Sequence, residues 1–326
     1  MKALKIIFSL SISALFLFLA LRGLNFSEVA TIVSGAAIFP LIIATAVFII
    51  SYVVRTLRWK LMLRPVYPTI PIRCLLSAIF IGAAANNVLP LRAGEVVRSY
   101  AIKRFGDVSG KTALSSIVLE RVLDGLSLLI ILGILMVISP FPRWVGTVGL
   151  TAITLFGVTV IVLAVAFNKR NVLIDKLNAY ADRKNSHKIK WIADTALRIG
   201  EGLSLFKSPS NFILAMAVSL GIWMCEALVY YLIGTSLSLE LNTSAVFFCL
   251  VIVNFGLIIP SSPGFVGTFE YACVISLGIF QVSQSQAMGF AILLHAIFWV
   301  ILVVAGFSFA WIDHGGLGKI AKGQSL

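Results

Sequence analysis

Residues 86–124 read NNVLPLRAGEVVRSYAIKRFGDVSGKTALSSIVLERVLD. A long apolar run precedes this stretch, and almost everything after it is apolar too. Within it stand Asn86, Asn87, a proline, the Gly94-Glu95 pair, Arg92 and Arg98, then Glu120, Arg121 and Asp124 inside an apolar helix. Hydrocarbon tolerates such groups only where protein or trapped water satisfies them. The spacing of Glu120, Arg121 and Asp124 puts the three on a shared helix face. That face serves either an internal Arg–carboxylate brace or a functional site, and the pattern alone fits both.

Composition sets the class. Of 326 residues, 60% are hydrophobic and 12% charged, with a mean hydropathy of +1.03. A soluble domain is nearer half apolar and a quarter charged, so the chain reads as an all-α, polytopic integral membrane protein. The formal charge of +13 does not call for nucleic acid, because basic residues of membrane proteins collect in cytoplasmic loops and beside anionic headgroups. Cys74, Cys225, Cys249 and Cys273 lie within apolar segments without CxxC spacing, and read as small buried hydrophobes.

Taken in order, residues 4–21 form a first span, retained because no clean cleavage site follows, and 24–37 an interfacial linker. A second span, 38–57, runs into Arg55, Arg58, Trp59, Lys60 and Arg64, a cytoplasmic anchor. Pro65, Pro68 and Pro71 break the helix. Residues 74–104 read as a re-entrant hairpin, 112–138 and 146–167 as spans, and 168–208 as a basic cytoplasmic insert of two surface-lying amphipathic helices. A span at 210–236 contains Glu226, two apolar arms at 244–281 surround PSSPGFVGTFE, and a last span at 286–312 contains His295. The expected count is six full spans plus two re-entrant hairpins, or eight spans plus one hairpin if 244–281 crosses twice.

With both termini in the cytoplasm, 23 of the 26 basic residues fall on that side, as the positive-inside rule requires. The expected location is a cell membrane crossed several times. The hairpin version also gives halves of opposite orientation, 4–138 and 146–312, the inverted-repeat plan of many transporters within one transmembrane domain. Asn87, Pro90, Gly94 and Glu95 are echoed by Asn254, Pro260, Gly264, Gly267 and Glu270, and Glu95 to Glu120 spans the same interval as Glu270 to His295.

In PSSPGFVGTFE, Gly264 and Gly267 allow tight turns, and Ser261, Ser262 and Thr268 supply hydroxyls. A helix starting near Pro263 would present its positive end to an anion such as phosphate; a plain Pro-Gly turn between two spans is the alternative. Arg92 and Arg98 offer planar forks for the same anion, or serve as ordinary positive-inside residues. Glu226 and His295 are lone polar groups at membrane depth, read as proton-coupling sites or as packed, hydrogen-bonded structural groups.

NNVLPLRAGEVVR, LERVLD and PSSPGFVGTFE, in that order and spacing, resemble the family of lysylphosphatidylglycerol synthase transmembrane domains, also called flippase-like or UPF0104, over about residues 5–312. The resemblance implies a domain that moves a lipid, or a lipid-linked headgroup, between leaflets. It places lipid contact on Asn87, Pro90, Arg92, Gly94, Glu95, Arg98, Glu120, Arg121, Asp124, Pro260, Pro263, Gly264, Gly267 and Glu270. To these the residue chemistry adds Asn86, Ser261, Ser262 and Thr268. Two-part members continue into a soluble aminoacyl-transferase domain, whereas this sequence stops at Leu326, so lysine transfer by this chain alone is not expected. Neither a cofactor nor a metal is implied. The expected partners are phosphate-bearing membrane lipids and a separate lipid-synthesis enzyme, with no nucleic acid.

Two other function classes compete with lipid movement. A lipid-headgroup enzyme would need a catalytic motif, and there is no HExxH or GxSxG and only three histidines. A non-transporting scaffold for a lipid or cell-envelope enzyme needs none. With no Walker motif, energy for transport would come from an ion gradient, a lipid gradient or a partner.

Overall fold

The computed structural model describes residues 2–89, 93–139, 208–259 and 261–320, with Phe141 and scattered positions between 145 and 180. Arg92, Pro90, Pro260, most of the span expected at 146–167 and nearly all of the 168–208 insert lie outside the described residues.

Among the described residues every regular element is helical: α1 (Lys2–Leu21), α2 (Phe26–Ser34), α3 (Ile38–Leu63), α4 (Ile72–Val88), α5 (Gly94–Gly106), α6 (Gly110–Ile138), α7 (Pro209–Ser236), α8 (Thr243–Gly256), α9 (Thr268–Gly278) and α10 (Gln284–Ile320). The protein is an all-α polytopic membrane protein. Four stretches are long and apolar enough to cross a membrane: Ile38–Leu63, Gly110–Ile138, Pro209–Ser236 and Gln284–Asp313. Leu10–Leu21 with Phe26–Ser34, bent by 85°, makes a fifth if counted as one span. The described residues therefore hold fewer full spans than the six expected.

Two boundaries are corrected. Residues 26–34 form α2 rather than part of a linker, because Asn25 Oδ1 accepts the amides of Ser27 and Glu28 and so caps a new helix start. The helix expected to start near Pro263 starts at Thr268, and Pro263–Phe265 makes only a single 3₁₀ turn. Gly264 and Phe265 in that turn sit at φ 70° and 61°, and after Val266 at φ −54° Gly267 sits at φ 90°, interruptions that cannot feed an α-helix. The prolines act as read: α3 ends at Leu63 and α4 begins at Ile72.

The chain packs as two compact units that interleave along the sequence. One comprises Met1–Val53, Ile79–Arg98 and Ile222–Leu326, the other Val54–Ala78 and Ser99–Gly221. This division differs from the halves 4–138 and 146–312 drawn by the repeat reading. In the first unit α9 packs on α1, α8 and α10, and α2 on α10. Ala20, Val29 and Met288 form one buried cluster there, and Phe48 stacks on Phe298 at 4.2 Å between ring centroids. In the second, Met62, Leu119, Leu123 and Ala215 form the buried apolar cluster.

Candidate functional site

Within the first unit, two interrupted helix pairs meet. The pair α4–α5 folds back on itself as expected of residues 74–104, and Asn86 holds the turn. Its Oδ1 accepts the Gly94 amide at 2.8 Å, and its Nδ2 donates to Glu95 Oε1 at 3.4 Å. Asn87 donates to the Ala83 carbonyl one turn back. Glu95 stands in the first turn of α5, where a carboxylate suits the helix dipole. The arms are pressed together at Gly82, where a Cβ would lie 2.9 Å from the Gly94 carbonyl and 2.7 Å from Arg98 Cβ. Only glycine permits that approach, and it leaves Arg98 buried.

The second pair, α8 and α9, is joined through PSSPGFVGTFE. The backbone of Asn87 lies beside Gly264, whose missing Cβ would sit 3.4 Å from the Asn87 carbonyl and 3.4 Å from Trp299 Nε1. The two sequence echoes thus come together in space. Ser262 donates its amide to Ser13 Oγ of α1 at 2.6 Å and its hydroxyl to the Val266 carbonyl at 3.2 Å. The Thr268 hydroxyl donates to the Phe265 carbonyl at 2.8 Å, and Ser261 is half-buried.

At the start of α9, Glu270 Oε2 accepts the Gly267 amide at 2.6 Å, the N3-to-N-cap half of a capping box. One amide at this helix start is thus taken by the chain's own carboxylate. The other oxygen, Oε1, lies 2.5 Å from His295 Nδ1, and His295 Nε2 lies 2.7 Å from the Gly264 carbonyl. Phe269 stacks on the imidazole at 4.5 Å. Glu226 is also buried in this unit, on α7. The equal 95–120 and 270–295 intervals drew attention to Glu270 and His295, but not to their direct contact.

The second unit contains a buried arginine that sequence reading missed. Arg58, 1% exposed, is no cytoplasmic anchor. Its guanidinium donates to Asp124 Oδ1 and Oδ2 at 2.5 and 3.3 Å and to Ser219 Oγ at 2.6 Å, and pairs with Glu120 at 3.3 Å. Arg55 stands 3.6 Å from Asp124, and Arg121, 54% exposed, 3.8 Å from it. Trp59 beside it donates to Ser116 Oγ at 2.9 Å. Helices α3, α6 and α7 are joined through one guanidinium, so Glu120 and Asp124 form the brace that their spacing allowed. A clue existed: Arg55 and Arg58 share one face of an otherwise apolar helix. That spacing looks the same in an anchor.

The family model described as the lysylphosphatidylglycerol synthase TM region matches residues 6–306. Among curated proteins, the chain is similar to the glycosyltransferase AglD of Haloferax volcanii, 23% identical over 315 residues that cover 86% of this chain and 50% of that protein. It is also similar to two UPF0104 membrane proteins. One, of Methanothermobacter thermautotrophicus, is 23% identical with 76% and 77% of the two chains covered. The other, of Methanocaldococcus jannaschii, is 20% identical with 91% and 92% covered. The chain thus spans the length of one UPF0104 relative but half the length of AglD.

Proposed function

The chain belongs to the lysylphosphatidylglycerol synthase transmembrane family, and from that premise we propose that it moves a phosphate-bearing lipid, or a lipid-linked headgroup, between leaflets of a cell membrane. The observation that carries the reading is the meeting of two interrupted apolar helix pairs at Asn87 and Gly264. Interrupted helices free backbone carbonyls and amides, and such backbone is tolerated at membrane depth only where protein buries it or it lines a polar path. Broken helices facing one another in this way are how many transporters bind polar cargo.

In this proposal Arg92, which falls between α4 and α5 in the sequence, holds the phosphate through its planar fork. Asn86, Asn87, Arg98, Ser261 and Ser262 supply polar contacts, and Glu95 balances the charge. Glu120 and Asp124 are accounted for by Arg58 and are given no lipid contact, while Arg121, mostly exposed, is kept as a polar contact. Gly267 and Thr268 shape the turn. The inverted repeat and the cytoplasmic placement of both termini belong to the same proposal.

The test is leaflet exchange of a fluorescent anionic phospholipid in vesicles holding the purified chain, followed by an impermeant quencher. Exchange above that of protein-free vesicles, lowered in Arg92→Ala and less so in Arg92→Lys, is the expected result. Protein-free rates from correctly folded chain would overturn the reading.

One observation favours a second reading: a relative named as a glycosyltransferase, half of which this chain matches. There the chain accompanies or supports an enzyme acting on lipid-linked headgroups. Altered lipid chemistry in the same vesicles, read by mass spectrometry, would favour it.

A further inference from the structure

The imidazole of His295 touches two partners that make opposite demands. The Gly264 carbonyl, 2.7 Å from Nε2, can only accept, so Nε2 must carry a proton. Glu270 Oε1, 2.5 Å from Nδ1, is then satisfied in only two ways. Either Nδ1 is also protonated and donates to a carboxylate, or Nδ1 is bare and accepts from a carboxylic acid. Both arrangements contain the same number of protons and the same net charge of zero, so the proton belongs to the pair. Neutrality is what makes such a pair tolerable at this depth.

We propose that Glu270 and His295 form a one-proton site whose proton pins the turn Pro263–Gly267 to α10. Remove it, and the imidazole has a single N–H left for two acceptors. If the N–H stays on Nε2, two lone pairs face each other across 2.5 Å. If it moves to Nδ1, the Gly264 carbonyl loses its donor. Glu270 is held in place by the Gly267 amide, so the contact to Gly264 is the one that gives way.

The turn is built to move when released. Phe265, a bulky residue, sits at φ 61° between two glycines at positive φ, a conformation that persists only where surrounding contacts enforce it. The carbonyl held by His295 belongs to the residue that lies against Asn87, so the proton controls the point where the two interrupted helix pairs meet. The elements packed nearby bring the buried Cys249 of α8, Cys273 of α9, and Tyr230 and Glu226 of α7. Helices α7, α8 and α9 contain no lysine or arginine. Among other charged groups of this unit, Glu95 bonds Asn86 and Glu28 bonds Ser285. Among the described residues Glu270 forms its ion pair with His295, so the shared proton is the charge that balances it there.

The site is tested on the full chain in lipid nanodiscs with ¹⁵N-labelled histidine, the His295 signals being assigned by their loss in His295→Asn. As pH rises, Nε2 should pass from protonated to unprotonated in one step while Nδ1 becomes the protonated nitrogen. Glu270→Gln should abolish that exchange of roles. The wild-type titration needs no variant to fold. At one pH below that step, amide hydrogen exchange at Phe265–Gly267 should be about tenfold faster in His295→Asn than in wild type, the equivalent of one lost hydrogen bond, and should stay near wild type in Glu270→Gln, whose amide donates to Nδ1 and leaves Nε2–H on the Gly264 carbonyl. An Nε2 that stays protonated across the wild-type titration, or wild-type exchange in His295→Asn, would overturn the proposal. Neither measurement depends on whether the chain moves lipids.

Discussion

Arg58→Ala should be the most damaging single substitution in the second unit. The change removes the guanidinium that meets both oxygens of Asp124, Ser219 and Glu120, and leaves two carboxylates that are 3% and 5% exposed. Breaking a buried ion pair from one side costs about 3–5 kcal/mol. Arg55 remains 3.6 Å from Asp124, which places this case toward the lower end, a shift of about a hundredfold in the folding equilibrium. Arg58→Lys keeps the charge but cannot serve three partners at once, and should lose about 1–2 kcal/mol. The triple variant Arg58→Met, Glu120→Gln, Asp124→Asn removes every charge together and should recover most of the loss. Unfolding in mixed micelles of increasing dodecyl sulfate content, followed by tryptophan emission, reads all three, since Trp59 is buried beside the site. Arg121→Ala, at a mostly exposed position, is the control and should cost less than about 1 kcal/mol. If Arg58→Ala and Arg121→Ala lose the same small amount, the brace carries no stability and the reasoning fails.

Gly267→Ala should destabilise by about 1–3 kcal/mol, because φ is 90° there and the new Cβ would run into the Ser13 carbonyl of α1. Gly133→Ala, where a Cβ meets nothing within 4 Å, should be neutral or gain up to about 1 kcal/mol in the same assay; equal losses at both positions would refute the packing argument. Gly82→Ala should open the α4–α5 pair and lose about 1–3 kcal/mol, while wild-type stability would mean that Arg98 yields freely. Cysteines placed at Lys184 and Gln324 should resist an impermeant reagent in whole cells, and labelling from outside would reverse the orientation drawn from the basic residues.

Much of the fold is legible in the sequence because hydrocarbon imposes a strict rule on where polar residues stand. The stretches expected at 112–138 and 210–236 appear as α6 and α7 within two residues at each end, and the prolines at 65, 68 and 71 punctuate as proline must. Asn25 was less legible, since a cap four residues beyond one helix reads equally well as a linker. Arg58 was hidden because an arginine near the end of an apolar run is the mark of a cytoplasmic anchor. Only tertiary structure shows that its carboxylate partners lie 62 and 66 residues later. Glu270 read as an intramembrane charge near a helix start. That its two oxygens are divided between a backbone amide and an imidazole depends on α10 lying alongside, which periodicity cannot report.

The contacts of α1 and α2 have a consequence for how the chain is made. Ser13 receives the amide of Ser262, Gln284 donates to the carbonyls of Ala20 and Arg22, and Ser285 donates to Glu28, separations of 249, 264, 262 and 257 residues. Helices α1 and α2 therefore leave the ribosome some 249 to 264 residues ahead of these partners. At about 5–20 residues per second, they wait on the order of ten seconds or more with Ser13, Glu28 and the Ala20 face unsatisfied. During that interval the nascent chain depends on whatever in the insertion machinery shelters a polar helix surface. Ribosome stalling before α10 is made should leave an α1–α2 segment that the cell's membrane proteases can recognise.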